Sequence, residues 1–275
     1  MARRSRRRGP DIWLIVLGSA SVAAWAGLAF SGAGLLLPAF CSPEAVRTAP
    51  FETLVELALV FNAPAKLVCN SALMIAAMMS PLIVGPLRHV HDRSFMRRRG
   101  RAMLLFGIGY AAIWLPAASA LHAIALAATW AAPAPFAGVA ATAAAILLWQ
   151  ASPAKQWCLN RCHRRPHLAA FGITAVWDAL RFGLSHGASC AGACWALMLL
   201  PIIAASGHLP LMVAVMLFVA AERLERPGPL AWRWRWPRKA LRIAVAQCRM
   251  GADPVIDREN YVRRLFSDHR AFARR

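Results

Sequence analysis

From Ala102 to Ala154 the chain runs for 53 residues without an Asp, Glu, Lys or Arg. About 20 apolar residues, each rising 1.5 Å along a helix, already cross the hydrocarbon of a bilayer. A run of this length therefore implies two crossings. Three more windows have the same character. Ile12 to Pro43 is uncharged, and its Ile12 to Leu37 part is apolar apart from Gly and Ser. Leu67 to Leu87 lies between Lys66 and Arg88, and Phe182 to Ala221 is uncharged for 40 residues. Helix-breaking stretches, Ala131-Ala132-Pro133-Ala134-Pro135 and Ser206-Gly207-His208-Leu209-Pro210, divide the two longest windows. The expectation is an all-α, polytopic transmembrane helix bundle with six spans, at about 12–37, 67–87, 102–130, 135–152, 187–205 and 209–224. The five arginines before the first window resemble a signal-peptide leader. A cleaved leader has an apolar core of only about 7–15 residues, so an uncleaved anchor is expected.

The chain is 59% hydrophobic yet carries a formal charge of +20. Both facts are compatible when apolar residues face lipid and charges crowd the connections. With six spans and an inside N-terminus, five basic residues fall in the N-tail, six in 88–101, five in 155–181 and fourteen in 223–275. That places 30 of the 32 Lys and Arg inside, as the positive-inside rule requires. Both termini are then cytosolic, and the setting is a bacterial cytoplasmic (inner) membrane. The chain divides into a basic cytosolic N-tail (1–11), a transmembrane helix domain (12–226) and a basic cytosolic C-tail (227–275). The 168–184 stretch is apolar for only 10 residues before Asp178 and Arg181. An interfacial or re-entrant helix is expected there, and seven spans are the alternative. The lipid bilayer is the first partner. Anionic headgroups face the basic loops and Trp232, Trp234 and Trp236, which alternate with Arg233 and Arg235. Because the charge is confined to loops and tails, no nucleic-acid partner is expected.

The residues with chemical potential are soft donors and imidazoles. His186, Cys190 and Cys194 stand at i, i+4 and i+8, within about 80° of one helix face. Cys158 and Cys162 repeat that spacing, with His163 and His167 beyond and the basic residues Lys155, Arg161, Arg164 and Arg165 around them. Basic neighbours favour thiolates. Met74, Met78 and Met79 lie in the second window, Met74 and Met78 on one face, and Met198 follows Cys194 by one turn. Thiolate and imidazole suit Cu(I) and Zn alike, whereas thioethers suit Cu(I) and bind Zn poorly. Copper is therefore the first expectation and zinc the alternative. Small thiols also pack well between helices, and Gly183, Gly187 and Ala191 form a small-residue stripe beside them. His122 is an isolated imidazole within a span.

Three segments carry a family resemblance: Ala77-Met78-Met79-Ser80-Pro81, Lys155 through Cys162 (KQWCLNRC), and Gly183 through Met198 (GLSHGASCAGACWALM). Together they resemble the bacterial integral membrane proteins described as predicted metal-binding membrane proteins (the DUF2182 group). The likeness covers roughly 65–225. It departs at one place: Ala193 precedes Cys194, where the family often has adjacent cysteines. The resemblance implies metal binding; with the donor types and spacing above, His186, Cys190 and Cys194 are expected as primary ligands, Cys158 and Cys162 as accessory or entry ligands, and Met74, Met78 and Met79 as a thioether face. The expected function is binding or handling of a soft transition metal. The alternatives are a metal-free assembly or structural protein and a transporter of metal or small solutes. A metallochaperone or a membrane protein is a possible partner. Without a nucleotide loop, nucleophile elbow or HExxH, no enzymatic activity is expected.

Overall fold

A computed structural model of the chain describes residues 12–31, 50–61, 63–131, 135–204, 207–234 and 236–252. The N-tail, residues 32–37 of the expected first span and the tail beyond 252 lie outside the described residues. What is described is all-helical, with no strand. The elements are α1 (Ile12–Ser31), α2 (Phe51–Phe61), α3 (Pro64–Arg93), a 3₁₀ turn (Met96–Arg98), α4 (Arg99–Ala131), α5 (Pro135–Ala151), α6 (Pro153–Cys162), α7 (Gly172–Ile203), α8 (His208–Leu224) and α9 (Arg238–Ala252).

Four stretches are long and apolar enough to cross a membrane: Ile12–Phe30, Ala65–Arg93, Met96–Ala128 and Gly172–Ile203. A fifth exists if α5 and α6, bent by 60° at their junction, count as one broken span. Among the described residues, four or five of the six expected spans are supported and the sixth is not confirmed. The 209–224 segment does form a helix, α8, but its 17 residues extend only about 26 Å, short of the roughly 30 Å hydrocarbon core.

The 168–184 stretch also differs from expectation. It is neither a separate interfacial or re-entrant helix nor a seventh span. Its residues from Gly172 onward are the first turns of α7, which continues unbroken through the expected 187–205 span for 32 residues, about 48 Å. Asp178 and Arg181 interrupt the apolar pattern but not the helix. Asp178 accepts a hydrogen bond from Ala169 N–H at 2.9 Å, and Arg181 is exposed.

Helices α4 and α7 form the most extensive contact of the first compact unit, residues 1–235. Glycine makes it possible. A Cβ on Gly183 would land on the Phe106 carbonyl, and one on Gly109 would come within 2.6 Å of Leu180 O. At Gly187 a Cβ would meet Ile113 Cβ and Tyr110 O, each at 3.2 Å. The small-residue stripe thus brings backbone against backbone, the close approach that holds helices together where lipid gives no hydrophobic drive. Helix α3 packs against α1, α4 and α8, and α7 also meets α5, α6 and α8. Pro81 deprives the Ala77 carbonyl of its helical donor, and Ser21 Oγ of α1 supplies one at 3.2 Å.

Large apolar side chains such as Ile15, Val22, Leu104, Ile108, Leu148 and Leu217 are exposed. That surface suits lipid and is costly in water. The second unit, 236–275, contains α9, on which Leu241, Ile243 and Val245 and the basic Arg238 and Arg242 are all exposed.

Candidate metal centre

The interior of the bundle is rich in sulfur. Met78, Cys190 and Met198 have no exposed surface, and Met74, Met79 and Cys194 are buried in the same apolar cluster. Helix α7 supplies the thiols because Gly183 and Gly187 seat it deep against α4. Helix α3 supplies the thioethers. The two meet at one point: Cys190 Sγ lies 3.9 Å from Met79 Sδ. Tyr110 of α4 places its hydroxyl 3.1 Å from the same sulfur. Cys194 Sγ donates to the Cys190 carbonyl at 3.0 Å, which keeps the second thiol one turn from the first.

The other expected residues are sorted by the fold. Cys162 comes within electrostatic reach of Cys190 and Cys194. Cys158, although one turn away on the same helix, does not join them. Its sulfur rests on the backbone of Gly192, where a Cβ would stand 2.6 Å from it, in a separate cluster with Leu159 and Ala193. Gly192 is about 200° around α7 from Cys190, so Cys158 is on the far side of that helix. His186 is 2% exposed and faces the rings of Phe106, Tyr110 and Phe182 at centroid distances of 5.8–6.1 Å. Neither of its ring nitrogens has a hydrogen-bond partner among the described residues. No three His, Cys, Asp or Glu side chains among the described residues converge closely enough to hold an ion. A site here needs a methionine as its third donor. His122 is bonded within its own helix, Nδ1 lying 2.8 Å from the Ala118 carbonyl.

Tyr110 and Arg223 act on the site without having been assigned to it from the sequence, and beside Arg223 lies a buried pair, Lys155 and Glu222, of which only Lys155 was named, as a basic neighbour of Cys158 and Cys162. The two cations were assigned to cytosolic loop and tail. In the fold Lys155 is 2% exposed and its ammonium bonds Glu222 and Gln150. Helix α6 clamps the end of α8 at two further points. Asn160 exchanges hydrogen bonds with Gly228, Nδ2 to O at 2.8 Å and N to Oδ1 at 3.1 Å. His163 Nε2 sits 3.1 Å from the Arg223 carbonyl. The clamp turns the Arg223 side chain inward, where its charge acts on Cys190, Cys162, Tyr110 and Cys194. The available signal was the Glu222-Arg223 pair directly ending an apolar run, since ionisable residues at membrane depth are functional by default. Glu222→Ala removes the carboxylate that balances Lys155, and breaking a buried pair costs about 3–5 kcal/mol. Thermal unfolding in detergent should show the loss, with Glu222→Asp recovering part of it.

A family model described as PpoB2, copper chaperone, matches residues 70–236. The chain belongs to this copper-chaperone family. No curated protein and no solved structure matches it. The matched stretch begins at the foot of the methionine face on α3 and ends beyond Arg223, so it holds every residue of the sulfur cluster. Helices α1, α2 and α9 lie outside it.

The donor set suits copper. Thiolate and thioether together select the cuprous ion, since thioethers are poor ligands for zinc. A metal–sulfur bond of about 2.3 Å puts two sulfurs of a trigonal site about 4 Å apart. The 3.9 Å between Cys190 Sγ and Met79 Sδ matches that span.

Proposed function

We propose that this protein receives Cu(I) within the bacterial cytoplasmic membrane and passes it on. Cys190, Cys194 and Met79 hold the ion. Cys162 lies on the approach to them, and Met74, Met78 and Met198 extend the thioether lining. His186, one turn before Cys190, is the nitrogen donor in reserve, and Cys158 serves packing. One observation carries the reading: a thiol and a thioether from two different helices meet at 3.9 Å in a core that excludes solvent. The family match to a copper chaperone supports it independently. The role is binding and transfer, with no bond made or broken in a substrate.

In this reading both termini face the cytosol, Trp232, Trp234 and Trp236 rest against anionic headgroups, and copper passes to or from a soluble metallochaperone or a membrane protein. Elemental analysis of protein purified in mild detergent under reducing conditions tests the proposal. Roughly one copper per chain is expected, with little zinc. Purified protein that takes up no copper from a Cu(I) donor would leave the cysteines as small packing residues in a metal-free assembly protein.

A further inference from the structure

Arg223 acts on the sulfur cluster and has no ion-pair partner of its own among the described residues. Its Nε and Nη2 atoms are buried, with no hydrogen-bond partner among the described residues. Its neighbour Glu222 is engaged by Lys155, so those two charges cancel. The groups that feel Arg223 include Cys190, Cys162, Tyr110 and Cys194, and also His186 and the Lys155-bound Glu222. A guanidinium with buried, unused N–H donors is costly unless an anion completes it.

We infer that Arg223 sets the metal preference of this site by charge balance. The inference rests on the copper reading above. Two thiolates and a neutral thioether around Cu(I) carry one net negative charge, which Arg223 cancels. The same donors around a divalent ion are already neutral, and Arg223 then leaves one positive charge buried. Inside a bundle of low dielectric that uncompensated charge is the expensive state. Ligand type admits both copper and zinc at the thiols; the arginine works against the divalent ion. Two buried guanidinium donors that have no partner among the described residues are available to an anionic complex, a task for which a fixed fork is better suited than an ammonium.

The test uses the full chain in detergent. Cu(I) affinity is measured by competition with a Cu(I)-specific chelator, and Zn²⁺ affinity with a zinc chelator. Wild type should bind Cu(I) and hold Zn²⁺ only weakly. Arg223→Met should weaken Cu(I) binding by about 100-fold, the scale of an unpaired buried charge, and bind Zn²⁺ more tightly than wild type. Arg223→Lys should keep most of the copper preference. If Arg223→Met does not fold, Arg223→Gln removes the charge while keeping a polar end. Equal losses for both metals, or no change in their ratio, would overturn the inference and leave the copper reading standing. Wild-type protein that binds Zn²⁺ at these cysteines as tightly as Cu(I) would overturn it with no variant needed. Wild-type protein that binds neither metal would remove the copper reading and the inference together.

Discussion

Replacing Cys190 and Cys194 together by serine should abolish tight Cu(I) binding while leaving the protein inserted and folded. Binding needs a soft, deprotonated ligand, and a serine hydroxyl is neither. The fold should tolerate the exchange because each hydroxyl inherits a hydrogen bond. At 194 it can donate to the Cys190 carbonyl, now 3.0 Å from the thiol, and at 190 it retains the Tyr110 hydroxyl, 3.1 Å from the present sulfur. The glycine contacts with α4 are untouched. A loss of more than about 100-fold in a chelator competition is expected, as when primary ligands of a metal site are removed. Single replacements should grade with position. Cys162→Ser weakens binding less, and Cys158→Ser, resting on Gly192 across the helix, leaves it nearly unchanged. A double variant with wild-type copper stoichiometry would show that the metal sits elsewhere.

Gly183→Val should be the most damaging single change to the fold. Even a first side-chain carbon at 183 would overlap the carbonyl of Phe106, which belongs to the rigid backbone of α4. The helices cannot part locally, because Gly109 holds the same crossing from the other side, a Cβ there coming within 2.6 Å of Leu180 O. Overpacking a close helix crossing costs upward of about 3 kcal/mol. The variant should give little monodisperse protein on size-exclusion chromatography and a steep drop in the thermal midpoint. Gly187→Ala should cost less, since its nearest neighbours stand 3.2–3.3 Å from the added carbon. Gly107→Ala, with nothing within 4 Å, should be neutral or slightly stabilising, as alanine favours the helix. A well-behaved Gly183→Val protein would show that the crossing is looser than described.

The reading of the 168–184 stretch shows where charge patterning misleads. Asp178 and Arg181, following an apolar run of only 10 residues, pointed to an interfacial or re-entrant helix. They lie instead on the early turns of a helix longer than the bilayer is thick, where charged residues are tolerated outside the hydrocarbon. The opposite error arose at Lys155 and Arg223. Both sit at the edge of apolar runs and read as loop charges, yet where α6 docks on α8 Lys155 is buried and Arg223 is half-buried, with its Nε and Nη2 shut off from solvent. A count of positive residues per loop cannot separate a solvated arginine from one folded inward.

Hydropathy alone was enough for the all-helical class, because a backbone in lipid must satisfy its own hydrogen bonds and a 53-residue uncharged run leaves no other regular structure for a chain like this. Helical periodicity was likewise enough to align His186, Cys190 and Cys194 and to mark Gly183 and Gly187 as a packing stripe. Which donors meet was decided by tertiary structure. Met79 reaches Cys190 because α3 and α7 enclose the same core, Cys158 is turned away by the backbone of Gly192, and Arg223 points inward because α6 grips the end of α8. Periodicity acts within one helix, over a few residues. Contacts between helices depend on their crossing angles and rotations, which follow from the packing of the whole bundle and leave no local mark in the sequence.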